Sequence, residues 1–323
     1  MYDWIAKLTN DDTALRRIGG VLGVLPGWLM AALCRLLARL LYIASRSSVR
    51  RRIESNMADV LNLHQPGVLN TISLNYFRNL VYTLYEILFR SYRLDRDASG
   101  TFAVQGQANF DEAMERSQGK GLIVYTPHLG NFFYAYWHLT RKYNCLTIAS
   151  AGSEELRPMY LKFQAMGCRG LDYDSTPPLE MYRTLKKHLS EGGILFILGD
   201  FWRPTFPTSR LFGRLTRTPE GAAMLALENK VPVVPFYSYR LKGFQHQLVF
   251  EKPLYLDEQF TRTQRSDANQ VLNAFMEQAI REHPSEWFYW FNVHERWEPV
   301  RAADDAGESE QAEGERNVSG KAG

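Results

Sequence analysis

From Gly119 onward the chain alternates short apolar runs with longer segments whose apolar residues recur three and four positions apart. The runs 121–126, 146–150, 193–199, 231–239 and 247–250 have strand length, while 131–142, 154–166, 178–190, 219–229 and 265–282 carry helical spacing. Such alternation predicts an α/β fold, with a mixed, mostly parallel central sheet flanked by helices. Upstream, residues 53–95 read as helical, including "NTISLNYFRNLVYTLYEILFRSY". In sheets of this kind ligands gather at the carboxyl ends of strands. His128 after 121–126, Asp200 after 193–199, and the segment entering helix 219–229 all fall at or near such ends.

The first long apolar segment is of a different kind. Pro26 to Ala44 reads PGWLMAALCRLLARLLYIA, about the length of a bilayer span. Arg35 and Arg39 interrupt it four residues apart, and so share one helical face. Each would cost roughly 2.5–3.5 kcal/mol to insert at a membrane centre. The helix is therefore amphipathic and expected to lie in the interface, with a single span or a core helix with snorkelling arginines as alternatives. Arg46, Arg50, Arg51 and Arg52 follow at once and would attract an anionic membrane surface. No cleavage pattern ends the segment, so it is expected in the mature protein. The division is then a helical, membrane-associated segment over 1–95, an α/β domain over 96–301, and a tail over 302–323.

Composition narrows the chemistry. The 323 residues are 45% hydrophobic and 23% charged, ordinary for a globular chain. Cys34, Cys145 and Cys168 are odd in number and widely spaced, which suits a reducing compartment. The histidines show no metal-binding spacing, and no metal is expected. In the tail, six acids against Arg316 and Lys321 give −4, so with a total of +3 the body carries about +7. Few apolar residues make that tail a candidate for disorder. A basic body suits phospholipid surfaces, phosphorylated ligands or an acidic carrier protein. Neither GxGxxG after a strand nor a phosphate-binding GxxxxGK[ST] occurs, and no nucleic-acid partner is expected.

Three stretches carry candidate chemistry. In "VYTPHLGNFFYAY" a strand stops at Thr126-Pro127 and delivers His128, with Gly130 keeping the loop open and Asn131 able to cap the next helix. A neutral imidazole there can take a proton from an attacking hydroxyl, or it can be a loop histidine bonded to nearby backbone. In "GDFWRP" Asp200 can bind substrate, orient a loop or cap a turn. In "RLFGRLTRTPEGAAMLALENK", Thr218-Pro219 starts a helix, Gly221 allows close backbone approach, and Arg210, Arg214 and Arg217 cluster just upstream. With the helix N-terminus they would hold a phosphate or an oxyanion, or form a solvated loop. The closing "EWFYWFNVHERW" reads as core packing and a sheet edge.

In this order the segments resemble the late acyltransferases of lipid A biosynthesis, relatives of the lysophospholipid and glycerol-phosphate acyltransferases, from about Leu25 to Trp297. The matching motifs are Arg51 with Asn56, His128-Leu129-Gly130-Asn131, Asp200, Phe212-Gly213, Thr218 to Ala226, and Trp290 with His294, Arg296 and Trp297. The resemblance implies acyl transfer from a thioester, with acyl carrier protein or coenzyme A carrying the acyl co-substrate and no bound cofactor. The acceptor would be a hydroxyl of a membrane lipid or glycolipid, at the cytoplasmic face of the bacterial inner membrane. His128 would be the base, with Gly130, Asn131, Arg210, Arg214, Arg217, Thr218 and Gly221 on the substrate side. The family's acid after the motif histidine is here Phe133. Either Asp200 or Glu220 replaces it, or a backbone carbonyl orients the ring, or the chain keeps a non-catalytic shell that binds lipid or acyl carrier. A hydrolase reading lacks the Gly-x-Ser-x-Gly elbow.

Overall fold

The structure is a computed structural model and describes residues 17–20, 22, 24–45, 48–97, 100–150 and 157–298. The expected acidic tail and Arg46 lie outside the described residues. Among the described residues, helical backbone at 17–20 is followed by α1 (Gly27–Ala44), α2 (Val49–Leu61) and α3 (Pro66–Tyr85). The single helical stretch expected over 53–95 is thus broken. Asn62 ends α2 in the left-handed conformation, and Pro66 opens α3 at its first position, where a missing N–H is harmless.

Then follow β1 (Phe102–Gln105), α4 (Gln107–Arg116), β2 (Leu122–Thr126), α5 (Phe132–Thr140), β3 (Cys145–Ala149), α6 (Arg157–Ala165) and β4 (Gly170–Asp172). The chain continues through α7 (Pro178–Ser190), β5 (Ile194–Leu198), β6 (Thr208–Leu211), β7 (Arg214–Arg217), α8 (Gly221–Asn229), β8 (Val233–Lys242), β9 (Gln245–Phe250) and α9 (Arg265–Glu282). Seven strands form one sheet in the order β1-β9-β8-β2-β5-β3-β4. Every pairing is parallel except β8 with β9, so the fold is α/β with a mixed, mostly parallel sheet, as expected. The pattern did not predict β1, the three-residue edge strand β4 or the β6–β7 hairpin. All three are short, and little of β1 and the hairpin is buried, so no apolar run marks them.

The central strands are apolar throughout because both faces are covered. Alternate residues separate cleanly between two cores. Ile123, Tyr125, Leu195, Ile197 and Val233 join a cluster with α7, α8 and α9. Leu122, Val124, Ile194, Phe196 and Val234 join the other, with α4 and α5. Helix α1 packs Met30, Ala31, Cys34 and Ala38 against Val81 and Tyr82 of α3 and Phe244. Its other side leaves Trp28, Leu36 and Leu40 more than half exposed. By length and composition α1 is able to cross a membrane, with mean hydropathy 1.5.

One buried ion cluster ties the leading helices to the sheet. Just past α3 the chain widens into a π-helical turn, Glu86–Arg90. Glu86 is fully buried there, and Arg240 of β8 grips it with two bonds, at 2.8 and 2.9 Å. His246 of β9 adds a third contact at 2.9 Å, and Asn131 donates a fourth at 2.9 Å. Burial alone would raise the Glu86 pKa, but Arg240 and His246 hold the carboxyl well below its usual range. Removing one partner of such a pair leaves the other charge stranded in apolar surroundings. Glu86→Leu is therefore expected to lower stability by about 3–5 kcal/mol, measured by urea unfolding at neutral pH.

Candidate active site

Strand pairing brings the two candidate groups together. Thr126 at the end of β2 lies opposite Leu198 at the end of β5. Each strand then runs two residues further, to His128 and to Asp200. The Gly199 N–H donates to the Thr126 carbonyl at 2.9 Å, which holds the two exits side by side. A Cβ on Gly199 would collide with the Tyr125 hydroxyl, so only glycine lets the strands leave at this spacing.

The Asp200 carboxylate is fully buried and surrounded by donors. His128 Nδ1 lies 2.5 Å from Oδ1, and the His128 backbone N–H points at both oxygens from 3.0 Å. Trp287 Nε1 donates to Oδ2 at 2.7 Å, and Arg296 Nη1 donates to the Asp200 backbone carbonyl at 2.7 Å. Burial works to raise the carboxyl's pKa. The His128 imidazole and the bonds from His128 and Trp287 more than offset it, and the pKa is lowered. With Nδ1 turned to the carboxylate, hydrogen bonding assigns the ring proton to Nδ1 and leaves Nε2 as the proton acceptor.

The loop that presents the ring is pinned along its length. Gly130 has φ +64°, and a Cβ there would collide with the Ser238 carbonyl. Its N–H donates to the Glu286 carbonyl at 3.0 Å, and the Phe288 N–H donates to the His128 carbonyl at 2.9 Å. Asn131 caps α5, accepting from the Tyr134 N–H at 3.1 Å, while its amide reaches Glu86. Phe132 and Tyr289 meet the imidazole edge-on, each with ring centroids 4.8 Å away. The Tyr289 hydroxyl faces Nε2 at 3.4 Å.

Beyond Nε2 opens a cavity of about 1070 Å³, at the upper end of volumes that hold small ligands. His128 and Gly130 stand in its wall with Ile53, Phe77, Phe163, Leu185 and Leu225. Phe133 also lines it, stacked on Phe132 at 4.5 Å and on Phe163 at 4.3 Å. Its side chain faces a greasy channel, and the carboxylate that meets the imidazole follows β5. The Glu286 carboxyl in the same wall is pushed up to about 7 by burial, against the pull of Arg240.

The other sequence candidates are placed as follows. Glu220 and Gly221 also line the cavity, but Glu220 pairs with Arg265 at 2.9 Å and accepts from Ser266 at 2.6 Å. Thr218 is buried in a polar knot with Ser209, Asn269 and Asn273. The three arginines sit on the β6–β7 hairpin, outside the cavity wall. Arg210 donates to the Gly213 carbonyl at 3.0 Å, Arg214 pairs with Asp59 at 2.5 Å, and Arg217 pairs with Glu298 at 2.6 Å. Asn56 donates to the Trp290 carbonyl at 2.7 Å and joins α2 to the closing segment. Among the described residues no group of three or more His, Cys, Asp or Glu is arranged to hold a metal.

Sequence reasoning assigned no role at the site to Trp287, Tyr289 or Glu86, and knew Arg296 only through the family motif. The signal for the first two was the aromatic density of "EWFYWFNVHERW", which core packing accounts for equally well.

The class of the protein is that of the acyltransferases. The chain belongs to the bacterial lipid A biosynthesis acyltransferase family, whose model matches residues 16–298. No curated protein matches the sequence. Among solved structures the chain is similar to the crystal structure of the 1-acyl-sn-glycerophosphate (LPA) acyltransferase PlsC from Thermotoga maritima. The identity is 12% and the TM-score 0.36, over 79% of this chain and 96% of that one.

Because its pKa is lowered on folding, the Asp200 carboxylate contributes stability above its unfolded value of roughly 4. That contribution is lost as pH falls through the folded value. The stability gap between wild type and Asp200→Asn is expected to be largest near neutrality and to close toward strongly acidic pH, read from urea midpoints across a pH series.

Proposed function

We propose that the protein transfers a fatty acyl group from a thioester to a hydroxyl of a lipid or glycolipid, in late lipid A acylation or a related lipid pathway. The observation that carries this reading is a His128–Asp200 pair whose imidazole stands in the wall of a large apolar cavity. The acceptor hydroxyl gives its proton to Nε2 as its oxygen attacks the thioester carbonyl. Asp200 holds the ring's tautomer and stabilises the imidazolium that forms, the role of the buried aspartate in serine proteases. When the tetrahedral intermediate collapses, the proton passes from Nε2 to the leaving sulfur, and no covalent acyl-enzyme is required.

Acyl carrier protein and coenzyme A are the proposed carriers, since both present an acyl thioester on an acidic body and the folded chain is basic. The proposed acceptor side is an anionic membrane surface, at the cytoplasmic face of the bacterial inner membrane. Helix α1 supports that placement through its exposed Trp28, Leu36 and Leu40 beside Arg35 and Arg39. Helix α3, on which α1 packs, also supplies Tyr76, Phe77 and Leu80 to the cavity wall. Helix α3 thereby links the packing of α1 to the cavity wall.

Purified protein incubated with palmitoyl carrier protein or palmitoyl-CoA and bacterial lipid extract is expected to yield acylated lipid, detected by mass spectrometry. His128→Ala should abolish the product, and Asp200→Asn should slow it by roughly 10⁴-fold. Undiminished turnover in His128→Ala would refute the base assignment. Chain binding without transfer from any thioester donor would point to a lipid- or carrier-binding protein.

A further inference from the structure

The acyl-transfer reading leaves the developing oxyanion without an assigned donor, and the next step rests on that reading. The hairpin arginines are committed to Gly213, Asp59 and Glu298. At the reactive face of His128 stands a different group. The Tyr289 hydroxyl lies 3.4 Å from Nε2. Both side chains line the cavity. An acceptor oxygen bonded to Nε2 must therefore sit next to this phenol, and the carbonyl it attacks must lie beside it.

Tyr289 is held from its other side by a buried cation. The Arg296 guanidinium lies 3.5 Å from the centroid of the Tyr289 ring, and the residue is only 7% exposed. The same guanidinium donates to the Asp200 carbonyl, so ring, cation and catalytic pair form one fixed unit. Positive charge over the ring face favours negative charge gathering at the phenol's edge of the cavity.

We propose that the Tyr289 hydroxyl is the oxyanion donor of the transfer reaction. As the acceptor O–H loses its proton to Nε2 and a new C–O bond forms, the carbonyl π pair moves onto the carbonyl oxygen. Tyr289 donates its hydrogen bond to that oxygen and keeps its proton. The pair then returns, the C–S bond breaks, and the thiolate takes the proton from Nε2. Ester and thiol leave, and His128, Asp200 and Tyr289 are unchanged. The phenol serves the transition state more than the planar thioester, which is the requirement for raising the rate.

Tyr289→Phe tests this, because it keeps the ring contacts with His128 and Arg296 and removes only the hydroxyl. Calorimetry with hexadecylphosphonate, a chain ending in a tetrahedral anion, is compared with hexadecan-1-ol, a chain without one. The wild type is expected to bind both. Tyr289→Phe should bind the alcohol equally and the phosphonate at least ~10-fold more weakly, with turnover of palmitoyl thioester reduced about 100-fold at unchanged donor KM. If phosphonate binding and turnover in the variant stay within twofold of wild type, the oxyanion assignment is overturned while acyl transfer stands. If the wild type takes up the alcohol but not the phosphonate, the assignment is likewise overturned. If it takes up neither chain, the acyl-transfer reading falls, and the assignment with it.

Discussion

A carboxylate with no access to water survives only if donors occupy its lone pairs, and Asp200 meets that condition entirely from the body of the fold. The imidazole comes from the end of β2, the indole N–H from the closing aromatic segment, and two backbone contacts from His128 itself. Each donor is thereby fixed by the charge that it satisfies. The ring cannot rotate without breaking its bond to the buried acid, and Trp287, with no exposed surface, has no other place to go. The segment 286–288 is in turn stitched to 128–130 by backbone bonds in both directions. Strand ends, closing segment and cavity mouth are therefore held by one buried charge.

Phe133 stands apart from this centre. An acid on the first turn of α5 would face the apolar cavity, where Phe133 now stacks between Phe132 and Phe163. Placing the carboxylate on β5 instead sets it beneath the imidazole, away from the hydrocarbon space. The arrangement leaves an aromatic lining beside the imidazole. A second buried acid, Glu86, acts one layer further out. It is paired to Arg240 and bonded to Asn131, so the cap of α5 and the turn after α3 are locked to each other.

The two hydrophobic cores divide the labour around this centre. The sheet's alternating residues anchor α7, α8 and α9 on one face and α4 and α5 on the other. The cavity opens where the strand ends leave both cores and the packing stops. Helix α1 belongs to a third, smaller cluster with α3. Its other side exposes Trp28, Leu36 and Leu40, while α3 borders the cavity.

By itself the sequence determined the alternation of strands and helices, the α/β class, the exit of His128 and Asp200 at strand ends, and the amphipathic α1. These are local properties, written in side-chain periodicity and in the backbone preferences of glycine and proline. It did not determine which carboxylate meets the imidazole, since Asp200 and Glu220 read equally well from spacing. Only the pairing of Thr126 with Leu198 brings Asp200 to His128 from 72 residues away, while Arg265 and Ser266 draw Glu220 aside. The hairpin arginines read as an anion site because their partners Asp59 and Glu298 are distant in the chain. Trp287 and Tyr289 were hidden for the opposite reason: a run of aromatics looks like core until the strand ends that it covers are in place. Periodicity is a one-dimensional signal, whereas a site assembled from β2, β5 and the closing segment exists only once their backbones have hydrogen-bonded.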